Sequence, residues 1–248
     1  MALGRPVVVL LGPQGSGKST AVIQACSSFM EQVLYIQNEP NASASWMNPR
    51  WNPGRQAPKL ITYLAPDGVH DNLLHAVSQA ERGAAGGHIK AAVLDTLSTH
   101  ADKRIREILR KNPQLRSNGR AWDQLSNELM WLVDRLVATQ LAVFLIGHEH
   151  QPEWKQRGEN GPRYFVPGGI DVPGQQLGKR LNRLCDVVCR VKLEPGADGR
   201  NRRVLARDEL DTDWPTKDRW DVITNGMELN LEAVCRAIVQ RQREAGVT

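Results

Sequence analysis

Short apolar runs alternate with amphipathic segments along the first part of the chain. Such runs are typical of strands buried on both faces of a sheet, and they predict four: Val7–Leu11, Val33–Gln37, Ala91–Leu94 and Leu141–Ile146. The intervening segments predict helices at Ser19–Met30, at Asp71–Arg82 and along the stripe of Leu125, Leu129, Leu132, Val133 and Leu136. Strands that alternate with helices indicate an α/β fold with a mostly parallel sheet and helices on both faces.

Glycine and proline mark the less regular segments. Lys59–Leu64 is predicted as a further strand, Gly83–Gly87 as a break after the second helix, and Asn41–Gln56 as an irregular insertion. Gln151–Gly174 contains many Gly and Pro residues and has no periodicity. It is predicted as a long loop, of a kind that is usually functional or mobile.

The C-terminal part predicts an antiparallel addition to the sheet and a terminal helix. In order, the pattern predicts a helix, a strand, a turn, a return strand and a short amphipathic helix: Leu177–Leu184, Val187–Leu193, Gly196–Arg200, Arg203–Arg207 and the stripe of Leu231, Val234 and Ile238. We therefore expect a core domain over 1–225 and a C-terminal helix within 226–248 that packs on the core or extends from it.

The composition is typical of a soluble globular protein, with 41% hydrophobic and 24% charged residues. No apolar run approaches the roughly 20 residues that a membrane-spanning helix needs, and the N-terminus lacks the pattern of a signal peptide. These features predict a cytoplasmic protein with no membrane partner. The cysteines form no CxxC pair, which favours buried thiols over a zinc site: Cys26, Cys185, Cys189 and Cys235.

Positive charge is in modest excess but is concentrated in two clusters. The chain has 32 Lys and Arg residues against 27 Asp and Glu, a net charge of +5. The first cluster comprises Lys103, Arg104, Arg106, Arg110, Lys111, Arg116 and Arg120. The second comprises Lys179, Arg180, Arg183, Arg190, Lys192, Arg200, Arg202, Arg203 and Arg207. Such clusters suit a polyanion such as nucleic acid, and the alternative is an ordinary solvated surface.

A glycine-rich sequence follows the first predicted strand and opens the first predicted helix. Its spacing, Gly-x4-Gly-Lys-Ser, is that of a phosphate-binding loop, whose glycines let backbone N–H groups surround phosphate oxygens. Lys18 is predicted to reach the β and γ phosphates of ATP, and the Ser19 hydroxyl to ligate Mg²⁺. The predicted nucleotide-binding residues are Gly12, Pro13, Gln14, Gly15, Ser16, Gly17, Lys18, Ser19 and Thr20.

Asp95 ends the strand predicted at Ala91–Leu94 and is followed by Thr96. A carboxylate at a strand end can hold Mg²⁺ together with the phosphate-loop serine, and the alternative is a cap for the next helix. Because a phosphate loop precedes it in the sequence, we predict that Asp95 and Ser19 hold the metal.

The order of these features resembles the RecA-type ATPase core: a phosphate loop, a carboxylate after the second strand, the Asp95 strand and a polar residue after the next strand. The resemblance implies an α/β fold, a RecA-like P-loop NTPase core with a mostly parallel central sheet, helices on both faces and an antiparallel edge hairpin. It implies that Glu39 is the general base that activates water. It also implies that His148 senses the γ phosphate, although RecA itself has an amide there. The alternatives for His148 are a structural role or, with His150, a metal site.

Lys217 and Arg219 form a Lys-x-Arg pair. In RecA-like recombinases and DnaB-like helicases a similar pair reaches the ATP of the neighbouring subunit, where positive charge stabilises the transferring phosphoryl group. The resemblance therefore implies a homo-oligomer, a ring or a filament, in which a neighbour completes each site. The alternative is an ordinary exposed basic pair.

Over residues 5–225 the chain resembles the compact phage RecA-like proteins, the Sak-type single-strand annealing ATPases. The basic stretch 102–120 falls where the first DNA-binding loop of the RecA family would lie, and 151–174 falls where the second would lie. Aromatic and basic residues together suit single-stranded DNA. The resemblance implies that DNA is bound by Lys103, Arg104, Arg110, Lys111, Trp154, Lys155, Arg157 and Arg163.

The residues and the resemblance together predict an ATP- and Mg²⁺-dependent ATPase that binds single-stranded DNA in recombination or strand annealing. Expected partners are single-stranded DNA, further copies of the chain and a single-strand binding protein; a phage-encoded chain would act in the cytoplasm of its bacterial host. The rivals are a hexameric helicase or helicase loader, a KaiC-like regulatory ATPase, and a small-molecule kinase with Gly199–Arg207 as an Arg-rich lid. Glu39 argues against a kinase, because a general base for water implies hydrolysis.

Overall fold

The computed structural model describes residues 5–38, 46–62, 68–116, 119–156, 161–172, 180–181, 183–196, 199–207 and 216–246. The helices are α1 (Lys18–Cys26), α2 (Val69–Ala85), α3 (Leu97–Lys111), α4 (Arg120–Ala138) and α5 (Leu231–Glu244), with short 3-10 helices at Ser27–Gln32 and Pro113–Arg116. The strands are β1 (Val7–Gly12), β2 (Val33–Gln37), β3 (Lys59–Thr62), β4 (Ala91–Asp95), β5 (Ala142–His150), β6 (Glu153–Gln156), β7 (Arg163–Val166), β8 (Gly169–Ile170), β9 (Val187–Pro195), β10 (Asn201–Ala206), β11 (Lys217–Asp218) and β12 (Met227–Glu228). Half of the predicted helix Leu177–Leu184 and part of the predicted insertion Asn41–Gln56 lie outside the described residues.

Within the described residues, ten strands form one sheet in the order β12-β10-β9-β1-β5-β4-β2-β3, with β11 added to β9 and β8 added to β5. The strands from β9 to β3 are parallel to one another. The strands β8, β10, β11 and β12 pair in the antiparallel sense. The predicted architecture, a mostly parallel sheet with an antiparallel hairpin at one edge, is confirmed.

The central strands are buried on both faces, and each face packs against its own helices. Along β1, Val7, Val9 and Leu11 belong to a core that includes α2, α3 and α4. Val8 and Leu10 belong to a second core that includes α1 and α5. Successive strand residues point to opposite faces, so the uninterrupted apolar run of β1 serves both cores.

The basic stretch 102–120 is not a loop, as the resemblance implied, because most of its charged residues lie on α3. Leu97, Ala101, Ile105 and Ile108 are buried and follow one another at helical spacing. Thr96 caps the helix by accepting a hydrogen bond from the N–H of Thr99. The many cations between these positions hide the apolar stripe in the sequence.

The segment Gln151–Gly174 also has more structure than its glycines and prolines predict. The strands β6 and β7 form an antiparallel hairpin, in which Trp154 pairs with Phe165, and β8 then pairs with β5. The prediction of a long loop is therefore wrong for much of this segment. Each strand is too short to show a periodicity that the sequence alone could reveal.

Two further elements complete the fold. Helix α2 continues through Gly83 instead of breaking there, and a Cβ on Gly83 would collide with the side chain of Ile89. Glycine at this position thus permits close packing within a helix. Helix α5 is capped by Asn230 and buries one face in the core that contains α1. In the part of the chain that the structure describes, no helix is long and apolar enough to cross a membrane.

Candidate nucleotide site

The carboxyl ends of the central parallel strands meet at one edge of the sheet. Gly12, at the end of β1, lies beside His148 of β5. Asp95, at the end of β4, lies beside Ile146 of β5 on one side and beside Gln37 of β2 on the other. The phosphate loop, Asp95 and His148 are therefore brought to the same edge, as their positions after predicted strands require.

Two glycines shape the phosphate loop. Gly12 has a φ of 155°, and a Cβ there would lie 2.8 Å from the main-chain oxygen of Val191. Gly17 has a φ of 92°, in the left-handed region that side chains with a Cβ rarely adopt. Gly17 is also the residue from which the chain enters α1. The loop can therefore pass close to β9 and turn into the helix only with these residues.

The start of α1 has no side-chain cap and no acidic residue in its first turn. Each of the α-helices α2 to α5 has at least one of these features: Thr96 and Asn230 cap α3 and α5, and Asp71 and Asp123 lie in the first turns of α2 and α4. A cap or an acid satisfies the N–H groups and the positive dipole at a helix start. Within the described residues α1 lacks both, so its start is suited to an anion such as phosphate.

Lys18 is 5% exposed and lies against the loop that precedes it. Its Nζ atom donates to the main-chain oxygens of Gly12 and Pro13, each at 2.8 Å, and to the Ser16 hydroxyl at 3.3 Å. The loop thus holds a largely desolvated cation at the place that the motif assigns to phosphate binding.

Ser19, Asp95 and Tyr35 form a compact hydrogen-bonded group. The Ser19 hydroxyl donates to Asp95 Oδ2 over 2.7 Å, and the Tyr35 hydroxyl donates to the same oxygen over 2.5 Å. Burial and the nearby Asp95 carboxylate raise the pKa of the Tyr35 phenol well above its usual value. The phenol therefore remains a donor at neutral pH and orients Asp95. Sequence reasoning missed Tyr35, because an aromatic residue in an apolar strand looks like ordinary core.

The oxygen atoms of Ser19 and Asp95 fit a bound Mg²⁺ ion. This ion prefers oxygen ligands and usually takes one or two carboxylates together with phosphate oxygens and water. Among the described residues, no group of three or more His, Cys, Asp or Glu side chains is placed to hold a metal ion by itself. Ser19 and Asp95 therefore suit a metal that binds together with a nucleotide. The described part of the chain supplies no third His, Cys, Asp or Glu ligand for the alternative metal site at His148 and His150.

The end of β2 is anchored beside Asp95 through Asn38. The main-chain N–H of Asn38 donates to the main-chain oxygen of Asp95 at 2.8 Å, and its side-chain amide donates to the main-chain oxygen of Thr96 at 2.9 Å. Lys103 Nζ donates to the main-chain oxygen of Asn38 at 2.6 Å. The candidate base Glu39 is the next residue and lies outside the described part of the chain.

The two histidines at the end of β5 make different contacts. The main-chain N–H of His148 donates to the Ser98 hydroxyl at 3.0 Å, which ties β5 to the start of α3. The Nδ1 and Nε2 atoms of His150 lie 3.2 Å and 2.8 Å from the main-chain oxygens of Ile170 and Pro167. His150 therefore holds the segment around β8 against β5. The sensor role of His148 stays a prediction.

The Lys-x-Arg pair lies away from the phosphate loop of its own chain. Lys217 pairs with Val188, and the register through β9 and β1 places it three residues, or roughly 10 Å, before the level of Gly12. Arg219 is exposed and donates to Asp186 Oδ1 at 3.4 Å. Burial and the charge of Arg219 lower the pKa of Lys217.

The β6–β7 hairpin presents an exposed aromatic and basic face. Trp154 is 69% exposed, and its ring centroid lies 5.4 Å from that of Phe165. Arg163 is exposed and lies on the same face, because it is two residues from Phe165. Lys155 lies on the opposite face, where its Nζ atom pairs with Glu153 at 2.8 Å. Of the residues predicted to bind DNA, Arg157 lies outside the described part of the chain.

The basic residues of α3 have different surroundings. Arg104 is buried and pairs with Glu107 at 2.9 Å and with Glu128 at 2.7 Å, which links α3 to α4. Lys111 pairs with the same Glu107 at 2.8 Å, and Arg110 is exposed. The guanidinium of Arg104 thus takes part in helix packing, and only the outer cations of α3 face solvent.

Comparison with known proteins places the chain in a family. The model of the AAA domain family matches residues 5–220. No curated protein sequence matches the chain. A crystal structure of the RadB recombinase is 21% identical in sequence, covers 82% of this chain and 82% of its own, and superposes with a TM-score of 0.44. A TM-score this low extends none of RadB's properties to this chain. Because the family match spans most of the sequence, the protein belongs to the AAA domain family, and its phosphate loop is that of a P-loop NTPase.

Proposed function

We propose that the protein binds and hydrolyses ATP with Mg²⁺ and binds single-stranded DNA in recombination or strand annealing. The observation that carries the proposal is the convergence of the phosphate loop and the Ser19–Asp95 pair at one edge of the sheet. The proposed binding of DNA is supported by the β6–β7 hairpin, which follows β5 directly at that edge.

The phosphate loop supplies the binding of the nucleotide. The N–H groups at the uncapped start of α1 and the Lys18 ammonium neutralise phosphate charge. Ser19 and Asp95 would hold Mg²⁺, which stabilises negative charge on the phosphate oxygens. Tyr35 keeps the Asp95 carboxylate oriented through its own hydrogen bond. Burial of these groups strengthens each contact with the phosphates, because the surrounding dielectric is low.

Hydrolysis requires a base for the attacking water, and we assign that role to Glu39. Asn38 is the residue before Glu39. Its main-chain hydrogen bond to Asp95 holds it next to this proposed metal ligand. Replacing Glu39 with Gln removes the base but keeps the size of the side chain. We expect ATP binding to persist and turnover to fall by about a hundredfold or more. Unchanged turnover in the Glu39→Gln variant would remove the assignment.

The hairpin supplies a surface for single-stranded DNA. Bases stack on aromatic side chains with little sequence preference, and nearby cations pair with the phosphates. Trp154, Phe165 and Arg163 offer this combination on one face of the hairpin. The exposed cations of α3 extend the proposed surface, whereas Arg104 belongs to the packing between helices.

His148 and the hairpin share one strand. Starting from His148 beside Gly12, β5 continues to His150, and β6 begins at Glu153. A shift of His148 on binding of the γ phosphate would therefore be transmitted along a short, hydrogen-bonded segment. This continuity supports the proposed coupling of ATP to DNA.

The proposed binding of single-stranded DNA is tested by fluorescence anisotropy with a labelled single-stranded oligonucleotide. Trp154→Ala should weaken binding about tenfold, because one stacked base contributes roughly 1–3 kcal/mol. Trp131→Ala is the matched control, since Trp131 is a 50% exposed tryptophan on α4. Affinity should also fall steeply with salt. Equal affinity of the Trp154 and Trp131 variants, or binding that is insensitive to salt, would contradict the proposed surface.

We also propose that Lys217 and Arg219 act at the site of a neighbouring subunit, since they lie away from their own loop. Lys18→Ala and Arg219→Ala subunits should each be inactive alone. When they are mixed, an intact Arg219 on one subunit can serve an intact loop on the other, so part of the ATPase activity should return. Absence of recovery in mixtures shown to form mixed oligomers would exclude the role in trans.

A further inference from the structure

Arg203 lies over the phosphate loop, although the two are far apart in the sequence. A Cβ built on Gly17 would lie 2.7 Å from Arg203 Nε, 2.8 Å from its Cδ and 3.5 Å from its Cζ. The side chain of Arg203 therefore rests on the residue from which the chain enters α1. A side chain at position 17 would collide with it.

The backbone of Arg203 is held by the sheet. Arg203 pairs with Leu193 across the β9–β10 hairpin, and its main-chain oxygen accepts from the N–H of Leu229 at 2.9 Å. Strand β9 is in turn parallel to β1, which leads into the loop. The position of Arg203 at the loop thus follows from strand pairing within one chain and needs no neighbour.

The other arginines of this strand and its end are neutralised. Arg202 pairs with Glu194 at 3.3 Å, and Arg207 pairs with Asp218 at 3.2 Å. Among the residues that the structure describes, no carboxylate pairs with Arg203. Its guanidinium instead adds a second side-chain cation, beside Lys18, to a helix start that has neither cap nor acid.

This accumulation of positive charge is unfavourable without an anion. A cation at the positive end of a helix dipole is repelled, whereas a phosphate there is attracted by the dipole and by the cation together. We propose that Arg203 contacts the α and β phosphates of the bound nucleotide, from within the same chain. The inference rests on the proposed function, because it assigns a further contact to the same nucleotide.

The position at Gly17 determines which phosphates are involved. Loop N–H groups surround the α and β phosphates, and the loop lysine reaches the β and γ phosphates. A contact beside Gly17 is therefore made in ADP as well as in ATP. This separates Arg203 from a γ-phosphate sensor and from the Lys217–Arg219 pair, whose proposed role requires a second subunit.

The test measures the affinities of fluorescently labelled ATP and ADP for four proteins: the wild type and the Arg203→Ala, Arg203→Lys and Arg202→Ala variants. Arg203→Ala should weaken both nucleotides about tenfold, since a charge-assisted hydrogen bond at an exposed site is at the lower end of its range. Arg203→Lys should keep part of the affinity, because it retains the charge but loses the planar fork. Arg202→Ala, an adjacent arginine paired with Glu194, should bind like the wild type.

The possible outcomes distinguish failure of the Arg203 contact from failure of the proposed function. If the wild type binds ATP and Arg203→Ala binds equally well, the inference is overturned and the proposed function stands. If Arg202→Ala loses as much affinity as Arg203→Ala, the loss comes from the overall positive charge of the β9–β10 hairpin, and the proposed contact is overturned. A loss confined to ATP overturns the assignment to the α and β phosphates. If the wild type binds neither nucleotide, the proposed function itself fails. Thermal unfolding of each variant shows that the fold is retained.

Discussion

Replacing Tyr35 with Phe removes one hydroxyl from the group around Asp95. That hydroxyl donates to Asp95 Oδ2 over 2.5 Å, and Tyr35 is only 1% exposed. A hydrogen bond to a buried charged group contributes about 1.5–3 kcal/mol to stability. For a chain of this size a loss of about 2 kcal/mol lowers the melting temperature by roughly 4–8 °C. The ring itself keeps its packing, so the loss reports the hydrogen bond alone.

The assay is thermal unfolding followed by circular dichroism, without nucleotide. Tyr164→Phe is the matched control, because Tyr164 is a 41% exposed tyrosine on β7. Tyr164→Phe should have the same melting temperature as the wild type. The fold should persist in Tyr35→Phe, since Ser19 still donates to Asp95. A melting temperature of Tyr35→Phe equal to that of the wild type would refute the view that Tyr35 stabilises a buried carboxylate.

Three further predictions concern stability and reactivity. Burial raises the pKa of Glu107, but hydrogen bonds from Lys111, Arg104 and Gly68 outweigh this effect and hold it at about 2, against an ordinary 4.5. As the pH falls, the Glu107 carboxylate is therefore protonated first in the unfolded chain. Urea titrations should show the free energy of unfolding falling from about pH 4.5 towards pH 2, and falling less steeply in Glu107→Gln. Gly12→Ala should destabilise the protein more than Gly15→Ala in the same titration, because a Cβ meets Val191 O at 2.8 Å in the first and nothing within 4 Å in the second; equal losses would contradict the close approach to β9. Burial raises the pKa of Cys185 and of Cys235 to about 12, so a thiol reagent should react slowly with the native protein and rapidly after unfolding.

The parts of the fold that can be predicted from sequence have local signals. The strands β1, β2, β4 and β5 are continuous apolar runs, and such runs require cover on both faces. The phosphate loop is recognised by its fixed spacing. Because parallel strands have their carboxyl ends at the same edge of the sheet, Asp95 at the end of β4 lies close to Ser19. The predicted burial of the cysteines is confirmed for the same reason, because they lie within or beside apolar stretches.

The missed features depend on distant partners. Tyr35 and Arg203 lie beside Asp95 and Gly17 through contacts across the sheet, which no local sequence pattern reveals. Helix α3 has its apolar stripe between many cations, and the two-bonded ion pair of Arg104 with Glu128 joins two helices. The hairpin depends on cross-strand pairing over short strands. Side-chain contacts between remote segments are therefore what the sequence alone leaves open.

We propose above that the protein hydrolyses ATP at its phosphate loop and that single-stranded DNA stimulates this activity. The most direct measurement is the steady-state release of phosphate from Mg·ATP by the wild type and by Lys18→Ala, each with and without a single-stranded oligonucleotide. We predict turnover by the wild type that rises with DNA, and no turnover above background by Lys18→Ala under either condition. Equal release by the two proteins, or turnover by the wild type that DNA leaves unchanged, would contradict the account.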